Sequence, residues 1–80
     1  MRNLKEMFLF EDNDLKITFN LDKISIINYT KIDHLNDNKV IINYLDKLII
    51  IKGKSLSVTK LLDEEILLIG NINSIEIGDT

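Results

Sequence analysis

Residues 41–53 read IINYLDKLIIIKG, and residues 58–70 read VTKLLDEEILLIG. Leu45, Asp46, Ile49 and Gly53 of the first stretch stand against Leu62, Asp63, Ile66 and Gly70 of the second, every pair 17 positions apart. A unit holding a Leu-Asp turn and a glycine turn contains two strands, so the repeat is either a β-hairpin copied within a meander or a rung of a β-solenoid. The echo reaches outward: Leu15, Ile32, Ile49 and Ile66 share the spacing, as do Ile24, Ile41, Val58 and Ile75, and all of them are aliphatic. Helix competes in one place, because Val58, Leu61, Leu62, Ile66 and Ile69 fall near helical spacing. The partner copy is rich in β-branched residues that fit helices poorly, and two copies of one unit should share one conformation. The repeat therefore decides for strand.

Alternation supports this along the rest of the chain. In LKITFN, Leu15, Ile17 and Phe19 alternate with polar residues, and in KSLSVTK, Leu56 and Val58 do the same. Such a pattern gives a strand one dry and one wet face. Polar clusters recur every eight or nine residues: EDND at 11–14, LDK at 21–23, HLNDN at 34–38, LDK at 45–47, KGK at 52–54, LDEE at 62–65 and GN at 70–71. That is the spacing of short strands joined by tight turns, with Gly53 and Gly70 at turn positions that need positive φ. The expected fold is all-β, a small antiparallel meander forming a sandwich or roll, with a short β-solenoid as the alternative.

A chain of 80 residues is one domain over 1–80 with a thin core, and residues 1–14 read as a loosely ordered N-terminal extension. Hydrophobic residues make up 45% and charged residues 29%, which places the chain among globular proteins rather than disordered or membrane-spanning ones. A net charge of −3 gives no general attraction for nucleic acid. Cysteine is absent, so neither a disulfide framework nor a thiolate zinc site is possible, and a reducing compartment is the simpler expectation. Met7 to Phe10 is too short for the core of a signal peptide, and the runs 48–51 and 66–69 fall far short of a spanning helix. A cytoplasmic chain is expected.

Candidate chemistry thins out on inspection. His34, the single histidine, lies in the polar cluster KIDHLNDN without a second ligand, so it reads as a solvated loop residue. Asp12 and Asp14, or Asp33 and Asp37, lack the further oxygens and the bidentate Glu of a calcium loop and read as turn formers. Gly53-Lys54-Ser55 matches the tail of a phosphate-binding loop, but Leu48 stands where its first glycine belongs. Ser25, Ser55, Ser57 and Ser74 have no His-Asp constellation, and Glu64 and Glu65 alternate faces on a strand. Lys52, Lys54 and Lys60 form a strip without interleaved aromatics, which does not make a nucleic-acid groove. No catalytic, cofactor-binding or metal-binding residues are expected, and the chain reads as a non-enzyme without cofactors.

The run LIIIKGKSLSVTKLLDEEILLIGNINSIEI resembles the signature of the YabP/YqfC family of sporulation proteins, small chains of endospore-forming Firmicutes. The resemblance rests on Lys52-Gly53, the strand Leu56 to Val58, Glu64-Glu65-Ile66 and the closing Gly70 to Ile75. Upstream, Ile24 to Tyr29 is similar to the family's Ile-Glu-Asn-His strand, with Asn28 matching while Ile27 and Tyr29 replace the acid and the histidine. The likeness covers roughly 15–77. It implies an all-β protein made in the mother cell during sporulation, with no catalytic residues to carry over. On that footing the expected function is structural or scaffolding, an interaction β-domain in the mother cell with the forespore membrane surface as a place of action. A small-ligand-binding β-domain is the alternative.

Apolar surface supplies the expected contact. Leu48 to Ile51 and Ile66 to Ile69 are each four consecutive aliphatics, so both faces of each strand are apolar, and a two-layer domain covers only one. Leu48, Ile50, Leu67 and Ile69 are the expected interaction surface, or Ile49, Ile51, Ile66 and Leu68 if the strands are turned the other way. The expected partner is a protein, a membrane-associated sporulation protein or a second copy met through β-strands, and not nucleic acid.

Overall fold

The computed structural model describes residues 14–79, so the N-terminal extension expected over 1–14 lies, Asp14 apart, outside the described residues. Six strands follow: β1 (Lys16–Asn20), β2 (Lys23–Ile27), β3 (Lys31–Leu35), β4 (Lys39–Tyr44), β5 (Lys47–Leu61) and β6 (Glu65–Asp79). They form one sheet in the order β1-β2-β6-β5-β4-β3, with every neighbouring pair antiparallel. The all-β expectation holds, and the stretch that competed for helix is the end of β5, a turn and the start of β6. A solenoid would stack residues one repeat apart in parallel. Instead Ile49 pairs with Ile77 and Ile66 with Leu61, both antiparallel, which removes the solenoid alternative.

Two expectations need correction. The short strands predicted on either side of KGK and GN are continuous, and β5 and β6 make one hairpin of two 15-residue strands. Gly53 and Gly70 accordingly sit inside strands rather than in connecting turns. The ladder shifts between Lys52 and Gly53, between Lys54 and Ser57, and between Val58 and Lys60. Such bulges bend a strand and raise its twist. β4 pairs with residues 47–52 of β5, whereas β2 pairs with residues 65–69 of β6. The hairpin is thus shared between a base half-sheet (β3, β4, the start of β5, the end of β6) and a tip half-sheet (β1, β2, the start of β6, the end of β5).

The core shows that these halves face each other. Ile24 pairs with Leu68 and Ile26 with Ile66, so all four lie on one face of the tip half; Val40 with Ile51 and Ile42 with Ile49 share a face of the base half. All eight are fully buried and belong to one hydrophobic cluster. A side chain on a bare sheet face keeps contact with water, so complete burial requires a second layer, and the other half-sheet supplies it. The molecule is one open sheet folded over at the bend, with its two halves packed face to face around this core. The copies 41–53 and 58–70 are the sequence trace of this arrangement, the first spanning β4 and the start of β5 in the base half and the second the end of β5 and the start of β6 in the tip half.

Glycine is required at the bend for two different reasons. A Cβ on Gly53 would overlap the carbonyl oxygen of Asn71, and Gly53 does not have the positive φ expected for it. A Cβ on Gly70 would stand 2.7 Å from the Ser55 carbonyl oxygen and 2.9 Å from Leu56 Cα, and Gly70 does take φ +142°. The left-handed turn conformation near Gly53 falls instead to Ser55, at φ 55°. Close approach of the two strands thus explains both glycines, and backbone conformation adds a second reason only at Gly70.

At the opposite end, residues 28–30 cross between the halves. The Asn28 N–H donates to the Glu64 carbonyl at 2.6 Å, the Tyr29 hydroxyl to the Leu62 carbonyl at 3.1 Å, and the Thr30 N–H to the Asn43 carbonyl at 2.7 Å. The Leu45 N–H in turn donates to Thr30 Oγ1 at 3.1 Å. This three-residue strap fastens the β5–β6 turn to the β4–β5 turn and satisfies backbone groups that those turns leave over.

Candidate interaction surfaces

Alternation assigns every residue of the two aliphatic runs. Ile49, Ile51, Ile66 and Leu68 are the inner set, with no exposure. Leu48, Ile50, Leu67 and Ile69 point outward and are half-buried or exposed. These four do not form one patch, however, because the run 48–51 belongs to the base half and 66–69 to the tip half. Leu48 and Ile50 lie on the outer face of the base half, with Ile41 opposite Ile50. Leu67 and Ile69 lie on the outer face of the tip half, flanked by Ser25 and Lys23 of β2. The sequence shows the parity of each strand but not which half-sheet it joins.

Lysines fringe both patches. Lys16, Lys23 and Lys60 share the outer face of the tip half, where Lys60 meets Glu65 at 3.3 Å. Lys39 and Lys52 share that of the base half, where Lys52 meets Glu76 at 3.4 Å. The pairs are exposed and contribute little stability. Their aliphatic stems extend the apolar area while their charges keep it hydrated.

The strapped end carries an open depression of about 590 Å³ lined by Ile27, Asn28, Leu61, Leu62, Asp63, Glu64 and Glu65. At the same end the Tyr29 ring is buried, and burial first, then the Asp63 carboxylate, pushes its phenol above the ordinary tyrosine range. The loss of solvation and the negative neighbour both disfavour phenolate. The hydroxyl stays protonated and keeps its bond to Leu62.

The remaining candidates serve local structure. His34 is exposed on β3, its Nε2 2.9 Å from Asn36 Nδ2. Asn36 Oδ1 accepts the N–H groups of Asn38 and Lys39, and the Asp37 carbonyl accepts the Leu56 N–H at 2.8 Å, so the HLNDN cluster builds a turn and caps the bend. Asp33 pairs with Lys31 at 3.6 Å. The carbonyl of Asp14 accepts from Asn28 Nδ2, and Asp12 lies outside the described residues. Among the described residues no three His, Cys, Asp or Glu side chains are grouped to hold a metal ion, and no helix is long and apolar enough to cross a membrane.

Against this geometry stands one comparison, a match to the family model described as the YabP family, covering residues 11–80. The chain belongs to the YabP family. No curated protein and no solved structure matches it. Membership supports a sporulation-associated protein. It also spans the bend glycines, the strap and both outer patches, so every feature described above falls within the YabP-family match. Sequence reasoning also missed the edge of β6 that is unpaired among the described residues. Its signal was the absence of lysine and proline from GNINSIEIGD, the last described stretch.

Proposed function

We propose that this YabP-family chain is a non-enzymatic scaffolding or interaction domain acting in the mother cell, with the forespore membrane surface as its place of action. One observation carries the reading: the core is complete, yet aliphatic side chains ringed by lysine remain on both outer faces. Every buried residue of the core is apolar or the anchored Tyr29, so those outer aliphatics are surplus to folding. Exposed apolar area of this kind is what a docking partner covers. A membrane-associated sporulation protein suits the cationic fringe if its own surface is acidic.

Replacement in sporulating cells tests the reading. Ile50→Lys and Leu67→Lys keep the core intact but put charge into the two patches; at least one is expected to block sporulation at normal protein abundance. His34→Ala is expected to leave sporulation unchanged, because its imidazole is exposed and its hydrogen bond to Asn36 serves the local turn. If both lysine variants sporulate normally, the outer faces are not docking surfaces. A sporulation block from His34→Ala would redirect attention to chemistry at that loop.

The alternative, a small-ligand-binding β-domain, would use the depression at the strapped end. Its apolar floor and acidic rim favour a small cationic ligand. Leu62→Ser with Glu64→Gln would abolish such binding without affecting either outer patch.

A further inference from the structure

The sheet has four stretches with an unpaired side among the described residues, and three are protected against adding another strand. β1 is only five residues long and begins with Lys16. β3 is equally short, and its register slips between Ile32 and His34. The end of β5 carries two slips as well as Lys54 and Lys60, and its first residues donate to the carbonyls of Asp37 and Asn38. Bulges, lysines and shortness are the usual devices that keep an edge from pairing. The end of β6 carries the slip at Asn73, but from Ser74 onward it has neither bulge nor lysine. Residues 74–79 pair with 47–52 without a slip, β2 stops at Ile69, and the stretch holds no lysine, arginine or proline. Ile77 shares the core-facing side with Ile49 yet is 64% exposed.

We propose that this edge pairs antiparallel with the same edge of a second copy, centred on Glu76, to give a symmetric dimer with one continuous sheet. A second strand can pair with the whole row of edge backbone groups at once, and self-complementarity identifies the strand. In the register centred on Glu76, Ile75 faces the partner's Ile77 on each side of the axis, and Ser74 faces the partner's Gly78. A register centred on Ile75 sets Ile77 against the partner's Asn73, and one centred on Ile77 sets Ile75 against the partner's Asp79. Each keeps a single isoleucine pair on the axis, where the register centred on Glu76 makes two. The two Glu76 carboxylates fall on the opposite face, and each is already paired with its own Lys52. A two-fold contact of this kind is closed, so it ends at the dimer. The proposal deepens the interaction reading and rests on it, but it uses a different surface. Its failure in purified protein is therefore distinguishable from failure of the outer patches in cells.

Sedimentation of the full chain tests it, together with cross-linking that exploits the absence of native cysteine. Wild type is expected to be a dimer, and Ile77→Lys to fold normally while weakening association at least about tenfold. Glu76→Cys is expected to cross-link between copies with a short thiol-reactive linker, and Lys23→Cys, placed on an outer face, to remain mostly uncross-linked. A monomeric wild type overturns the proposal. So does a dimer that survives Ile77→Lys, or cross-linking no faster at residue 76 than at residue 23. If deleting residues 1–13 turns a monomer into a dimer, the edge is covered by the chain's own N-terminal residues and the proposal fails as stated.

Discussion

Gly53, Gly70 and Gly78 share a residue type and place different demands on it. At Gly53 and Gly70 the opposing backbone occupies the space of a Cβ, whereas among the described residues nothing lies within 4 Å of a Cβ built on Gly78. Gly53→Ala and Gly70→Ala are each expected to cost about 1–3 kcal/mol through overpacking, with added backbone strain at Gly70. Gly78→Ala is expected to stay within about 0.5 kcal/mol of wild type. Thermal melts decide this: if Gly53→Ala melts with Gly78→Ala, the strands do not cross so closely. Tyr29 gives a pH signature. Its folded pKa is raised, so the folded state holds the proton where the unfolded chain has begun to lose it. The resulting stability is complete below the unfolded value near 10 and is lost as pH rises through the folded one. Tyr29→Phe is expected to flatten the alkaline fall in melting temperature while costing about 0.5–1.5 kcal/mol at neutral pH from the lost hydroxyl bond to Leu62. An unchanged alkaline slope would assign that fall to other groups. The need for glycine at these positions was legible in the sequence. Its reason was not, because a close approach depends on the strand opposite.

At the scale of elements, the aliphatic runs announced two-sided strands, and period-two alternation limited the outcome to two sets of residues. The choice between them came from pairing: Ile51 faces Val40 within the core layer, while Ile50 faces Ile41 on the outside. Ile51→Lys is expected to unfold the domain, since a lysine cannot be accommodated charged at a fully buried site. Ile50→Lys is expected to leave the circular dichroism spectrum and cooperative melt in place. Unfolding in both variants would mean that the outer face is covered within the monomer. The repeat also misled in an instructive way. Read as four equal units, it promised a turn at each polar cluster, but a hairpin turn and a bulged bend both need small or polar residues near a change of direction. LDK at 21–23 and 45–47 became turns, with Leu21 and Leu45 at positive φ, while KGK and GN became bends.

At the scale of the molecule, the exchange of strand ends makes the two half-sheets thermodynamically inseparable. Ile49 of the base half and Ile66 of the tip half are repeat equivalents, both fully buried in the same cluster. Ile→Ala at such a site costs about 2–5 kcal/mol. A domain of 80 residues has only about 4–12 kcal/mol in total. Either substitution therefore removes a large share of the stability of the whole sheet, wherever it is made. Because β5 and β6 each run through both halves, neither half can open without exposing the inner face of the other. Ile49→Ala and Ile66→Ala are expected to lower stability by similar amounts, each in a single transition. Both should also accelerate amide exchange equally in β2 of the tip half and β4 of the base half. If Ile49→Ala speeds exchange in β4 but leaves β2 protected, the halves unfold as separate units, and the shared core does not couple them.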